Sequence, residues 1–231
     1  MGKSSEIKLI GTDASHFASR VKFVLNLKSI EYEYIVENLA CKSELLLTLN
    51  PVYQRVPVLV HANNPPILES LVIIEYLDEM YPDVHPILPS DPLDRANNRF
   101  WASYIDNMFI PLFEDLRKTL DKEGNDVVKK QISERTQLLE EAFVKLSKGK
   151  AYFGGDDAGY LDIVLGCFLG WVKFVEIYNQ LKVIDEVRTP KLQEWANRIW
   201  SHEALKDVIP GNETLMNFYM MLQVHKPPRV I

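Results

Sequence analysis

Apolar and polar positions follow two different patterns along this chain, and the change falls near residue 82. In the first part, strand-like and helix-like runs take turns. Ile7-Lys8-Leu9-Ile10 is a short apolar run that stops at Gly11. Phe17, Val21, Val24 and Leu25 then recur at helical spacing, so a helix is predicted from near Ser15. Tyr32, Tyr34 and Val36 alternate with Glu31, Glu33 and Ile35, the period of a strand. A short helix over 43–49 ends at Asn50-Pro51, and 56–60 is a second β-rich run. Asn63-Asn64-Pro65-Pro66 turns the chain into Ile67-Leu68, and Ser70 is read as the cap of a helix reaching about Met80. The order βαβαββα predicts a small α/β layer domain over 1–81.

Pro82, Pro86, Pro89 and Pro92 crowd into the next stretch. Proline fixes φ and cannot continue a helix, so 82–93 reads as a semi-rigid linker. Beyond it the period is helical throughout. Asp91-Pro92 pairs a cap with proline at the first helical position, opening a long helix to about Leu120. Gly124 and Gly149 bracket a charged helix, and Gly159-Tyr160-Leu161-Asp162 opens an apolar one over 163–178. Thr189-Pro190 starts another, and Asn212 caps the last. An all-α bundle is predicted over 94–231.

Composition narrows the partners. The 231 residues carry a formal net charge of −6, which argues against nucleic acid or an anionic membrane as the main partner. No stretch approaches the roughly 20 apolar residues of a membrane span, and the polar start leads straight into the first strand, so no signal peptide is expected. Cys41 and Cys167 stand far apart, in no metal or redox spacing, which suits a reducing compartment and a cytoplasmic location. The five histidines show no metal spacing, so no metal is expected.

Several segments in order then resemble the cytosolic glutathione transferases, and within them the plant tau class. They are Arg55-Val56-Pro57-Val58-Leu59, Glu69-Ser70-Leu71, 100–106 (FWASYID), and Phe153-Gly154-Gly155-Asp156 with Gly159-Tyr160-Leu161-Asp162-Ile163. The resemblance runs from Ile7 to about Leu222. It implies a thioredoxin-like N-terminal domain, a helical C-terminal domain that holds electrophiles, and a cytoplasmic homodimer. The implied activity is detoxification: glutathione is joined to xenobiotics and lipid peroxidation products, with peroxidase activity as a sideline.

Ser15 stands where tau enzymes carry their catalytic serine, here in Ser15-His16-Phe17 rather than the usual Ser-Pro-Phe. Cysteine-type relatives carry cysteine there. From the segment alone, Ser15 is a helix cap; the resemblance makes it a hydrogen-bond donor to the glutathione thiolate. A serine-hydrolase reading fails, because no Gly-x-Ser-x-Gly elbow is present. By the resemblance, Pro57 follows a cis bond and the Val56 backbone pairs with the cysteinyl unit of glutathione. Glu69 takes its γ-glutamyl ammonium and Ser70 the adjoining carboxylate, while Lys42 and Arg55 hold the glycine carboxylate. Arg20 and Asp106 form a supporting polar network, or else serve as helix-packing ion pairs. Phe17, Asn107, Met108, Pro111 and Phe218 are expected to meet the electrophile. Asp162 resembles a folding-critical capping box and is read as structural.

Two departures from the pattern keep a second function open beside the enzyme, a ligand-binding relative that carries flavonoids or other small molecules with weak or no catalysis. His16 replaces the proline that presets the first helical φ, and Asp13 puts a carboxylate two residues before Ser15. If that charge faced the sulfur it would oppose the thiolate.

Overall fold

The computed structural model describes residues 6–119 and 121–224. The chain divides into two compact units: one runs to Tyr81 and takes in the chain from Lys206 on, the other is Pro82–Leu205.

The first unit opens with β1 (Ile7–Gly11), α1 (His16–Leu27), β2 (Glu33–Val36), α2 (Glu44–Leu49), β3 (Val58–His61), β4 (Ile67–Leu68) and α3 (Ser70–Met80). This is the predicted βαβαββα order. The sheet order is β2-β1-β3-β4, with β1 parallel to β2 and antiparallel to β3. The parallel pair needs a crossover, and α1 supplies it. Leu9, Val21, Val24, Leu25, Leu59, Ile73, Ile74 and Leu77 are sealed from solvent, and α1 packs on α3. A second apolar cluster centres on Ile10, Leu46 and Val58, so α2 also has a buried anchor. The buried Lys28 ammonium bonds Asp78 at 2.8 Å and the Tyr81 carbonyl at 3.1 Å, which ties α1 to the end of α3.

The second unit holds α4 (Pro92–Tyr104), α5 (Ile110–Lys118), α6 (Lys122–Ser147), α7 (Tyr160–Gly166), α8 (Leu169–Asn179) and α9 (Pro190–Trp200). Asp91 caps α4 as predicted, accepting from the Leu93 and Asp94 amides at 2.9 Å. The single helix expected from there to about Leu120 is instead two helices joined by a π-helical stretch, Ile105–Phe109. Pro111 is the cause: it has no N–H to offer the Asn107 carbonyl, and its ring crowds that oxygen, so the turn widens. Leu120 itself lies outside the described residues. Gly124 does not bound α6 but sits in its first turn, donating to the Asp121 cap at 2.7 Å. The apolar helix predicted over 163–178 also breaks in two. At Gly166 the chain meets Ile199, which would lie 3.0 Å from any Cβ. The ladder tightens there, Phe168 N bonding the Leu165 carbonyl at 3.0 Å. Trp101, Tyr104 and Trp171 are only half-buried, while Phe168 meets Phe113 edge to face at 4.9 Å. The last helix, α10 (Asn212–Val224), belongs to the first unit. There the Ser19 hydroxyl donates to the Val208 carbonyl at 3.2 Å.

Asp162 is the polar hub of the second unit. Its carboxylate is fully buried and accepts from Gly159 N at 2.9 Å, Gly154 N at 2.8 Å, Phe153 N at 3.0 Å and Trp195 Nε1 at 2.6 Å. Burial pushes the carboxyl up to about 6, against the four N–H groups that favour the anion. Gly154 and Gly159 lie backbone to backbone, since a Cβ on Gly154 would come within 2.6 Å of the Gly159 nitrogen. Asp162→Ala strands four donors, three of them in buried bonds, so urea unfolding should show a loss of about 4 kcal/mol or more. A loss under about 1 kcal/mol would remove Asp162 from this role.

Candidate functional site

Strand register decides which loops meet. Ile10 is opposite Ile35 on one side and Val58 on the other, and Val58 is opposite Leu68. The ends of β1, β2 and β4 and the start of β3 therefore share one edge of the sheet. The chain just beyond that row carries Ser15, Val56, Glu69 and Ser70, and past β2 the loop to Lys42. Topology alone gathers most of the predicted glutathione-binding residues of the first unit.

Ser15 is the cap of α1, and its Oγ accepts from Ala18 N at 3.2 Å. Capping uses a lone pair and leaves the hydroxyl proton to donate outward. One residue can therefore be both the cap and the donor.

Arg20 has no solvent exposure. Its Nη1 donates to the Ser70 hydroxyl at 3.2 Å, and its guanidinium lies 5.0 Å from the centre of the Phe17 ring. Ser70 was expected to cap α3, but it is the first residue of the helix and its hydroxyl serves Arg20. Glu69 holds the cap position without a side-chain cap bond. Glu69 is at φ 68°, ψ 120°, a conformation an L-residue adopts only when its surroundings impose it. The Val56–Pro57 bond is cis. Arg55 and Lys42 are exposed, and the Arg55 carbonyl is pinned by Asn50 Nδ2 at 3.0 Å.

The two departures are placed as follows. Asp13 bonds the Lys22 ammonium at 2.9 Å, and that ammonium lies 3.5 Å from the centre of the Tyr34 ring. Its charge has a counter-ion, and it caps nothing. Burial first, then the Asp13 charge, raise the Tyr34 phenol above its ordinary 10.0, so it is neutral. His16 starts α1 in place of a proline, its ring 3.9 Å from that of Phe17. Burial, then the Arg20 charge, hold its imidazole well below 6.5.

Phe17 and Phe218 lie in the first unit, Phe218 half-buried on α10. Asp106, Asn107 and Met108 fall on the π-helical stretch of the second unit, a geometry common at functional sites, and Pro111 follows it. Asn107 Nδ2 donates to the Ser103 carbonyl at 3.0 Å and hydroxyl at 3.1 Å. Arg20 and Asp106 belong to different units, and Arg20 meets Ser70 within its own. One residue the sequence did not single out is Glu37, a buried carboxylate between β2 and α2 that bonds Ser43. An acid just past a strand and just before a helix cap was the available signal. Among the described residues, no cluster of three or more metal-type ligands occurs, and no helix is long and apolar enough to cross a membrane.

Two family models match the chain: the N-terminal domain of glutathione S-transferase over residues 9–85, and its C-terminal domain over 100–203. Glutathione S-transferase U17 of Arabidopsis thaliana is 45% identical, covering 93% of this chain and 95% of its own. Glutathione S-transferase U16 of the same plant is 44% identical over 97% and 96%. Among solved structures, the tau class glutathione S-transferase of mango, Mangifera indica, superposes with a TM-score of 0.90 at 44% identity, covering 94% of this chain and 98% of that one. Rice GST1 in complex with glutathione gives 0.83 at 32%, covering 95% and 98%.

The His16 environment makes a test of the local structure. As pH falls through about 6.5, an unfolded His16 takes up a proton that the folded one refuses, so stability drops in the acid direction. His16→Asn should flatten that loss between about pH 6.5 and pH 5, read by chemical denaturation across the range. An unchanged slope would mean that the folded imidazole titrates normally.

Proposed function

Because the chain belongs to the glutathione S-transferases, and within them to the tau class, we propose that it conjugates the thiolate of glutathione to hydrophobic electrophiles, with Ser15 stabilising the thiolate. The observation that carries this reading is the Ser15 hydroxyl: it accepts the cap bond at the N-terminus of α1, which uses a lone pair and leaves the O–H able to donate.

A thiol attacks only as thiolate, and a free cysteine thiol has a pKa of about 8.5. Lowering it by two units takes roughly 2.7 kcal/mol. A charge-assisted O–H···S bond together with the unpaired amides of a helix N-terminus is of that size. The sulfur lone pair forms the new C–S bond, and the electrophile either expels its leaving group or takes a proton on the adjacent carbon. Ser15 stays a donor throughout and is never acylated or alkylated.

The remaining roles follow the same edge of the sheet. Glu69 takes the γ-glutamyl ammonium, and its imposed backbone conformation fits a residue held for a ligand. Ser70 and the amides of the first turn of α3 take the carboxylate, with Arg20 setting the hydroxyl. Val56 pairs with the cysteinyl backbone as an added strand would, and Lys42 and Arg55 hold the glycine carboxylate. On the second unit Asp106 is assigned a supporting polar role and Asn107, Met108 and Pro111 are assigned to the electrophile, as are Phe17 and Phe218 on the first. Ligand carriage without catalysis is not favoured. Lys22 meets the Asp13 charge, and His16 starts α1 behind a working cap.

Ser15→Ala is expected to raise the bound thiol's pKa by about 1–2 units and lower turnover at pH 7 about tenfold or more. Affinity for glutathione should change little, because other residues hold the tripeptide. Turnover with a chloronitroaromatic substrate, with thiolate absorbance followed against pH, reads both. Unchanged turnover removes Ser15 from the mechanism. The protein is also proposed to act as a cytoplasmic homodimer. Sedimentation at micromolar concentration should then give about twice the 26.7 kDa chain mass, and a monomer there refutes the dimer.

A further inference from the structure

We propose that Glu37 is a positioning residue for the glycine end of glutathione, acting through Lys42. The inference rests on the assignment of Lys42 to the glycine carboxylate. Glu37 follows β2 directly and is buried, at 3% exposure. Both of its carboxylate oxygens are spent on one residue: Oε1 accepts from Ser43 N at 2.8 Å, and Oε2 accepts from Ser43 Oγ at 2.6 Å. The Ser43 amide is one half of the peptide group that leaves Lys42, so Glu37 clamps the peptide plane beside the Lys42 Cα.

The clamp is anchored at both ends. Glu37 N donates to the Gly11 carbonyl at 2.7 Å, the last residue of the strand that leads to Ser15. Ser43 Oγ, while donating to Glu37, accepts from Leu46 N at 3.1 Å and so fixes the start of α2. Between them the loop closes on Asn38, whose Oδ1 accepts from Ala40 N at 3.0 Å and whose carbonyl accepts from Cys41 N at 3.0 Å. Lys42 is left exposed on a fixed base.

That base matters because a lysine brings a compact charge on a flexible stem. Ordering the stem already costs rotamer entropy, so a backbone that also moved would weaken the contact further. Burying a carboxylate is itself unfavourable unless its oxygens are well bonded. Two charge-assisted bonds to one residue give this loop a rigidity that neutral partners match less well.

The test compares glutathione with γ-glutamylcysteine, which lacks only the glycine. Glu37→Gln keeps the size of the side chain but turns one acceptor into a donor facing Ser43. It should raise KM for glutathione about fivefold, leave kcat at saturation unchanged, and leave KM for γ-glutamylcysteine unchanged. Lys42→Ala should give the same pattern, and the double variant no further loss. A KM that rises equally for both thiols, or a kcat that falls with it, makes Glu37 purely structural and overturns the proposal. If Lys42→Ala raises KM and Glu37→Gln does not, the positioning role fails while the Lys42 assignment stands. If Lys42→Ala changes nothing, that assignment fails and the proposal with it. Should Glu37→Gln not fold, Ser43→Ala removes one of the two bonds and is expected to give the same thiol-selective pattern at smaller amplitude. An equal effect on both thiols there overturns the proposal as well.

Discussion

Everything in the first unit hangs on one hydrogen-bonded row, Ile35, Ile10, Val58 and Leu68 across four strands. A parallel neighbour on one side of β1 and an antiparallel one on the other oblige the connections to gather at fixed ends of the sheet. Slipping any strand by one residue would turn its side chains to the opposite face and move its loop out of the cluster. The register is secured by apolar burial, with Ile10 and Val58 sealed in one cluster. The packing that stabilises the sheet is therefore also what brings a hydroxyl, two backbone groups and a carboxylate to a common edge.

Buried charge is used sparingly and always with partners. Arg20 spans α1 and α3, Glu37 spans the ends of β1 and β2 and the start of α2, and Asp162 binds three backbone amides and an indole. Each fastens a loop that apolar packing cannot fasten, because loops carry backbone polar groups in need of partners. An unpartnered charge at any of these positions would cost more than the contact returns.

Local patterns were the legible part. Alternation, helical period, the Asp91 cap and the proline-rich stretch around 82–92 reveal the strands, most helices and the change of grammar, because each depends on residues within a turn or two. What stayed hidden depends on distance. The neighbour that requires glycine at 166, where the helix breaks, is Ile199, more than thirty residues on. Ser70 serves Arg20 and does not cap α3, a pairing hidden by the fifty residues between the two. The placing of 206–224 with the first unit turns on contacts such as Ser19 with Val208, which no periodicity announces. The π-helical stretch is different, since its cause, Pro111, is local, and a proline inside a helical run implies a distortion at Asn107. At the site, the family resemblance pointed to Ser15, Glu69 and Ser70, but only geometry could disclose Glu37, whose chemistry is spent on a neighbour.

The backbone of Glu69 sets two selection pressures against each other. A glutamate at φ 68° carries of order 1–3 kcal/mol that a glycine there would not. Selection for stability alone would drive this position toward glycine, and a domain that kept only its fold would be free to drift there. The proposed grip of Glu69 on an ammonium group supplies a pressure in the opposite direction, since glycine has no carboxylate to offer. Among chains sharing this architecture, the residue at the β4–α3 junction should separate those that still grip an ammonium group from those that have become scaffolds.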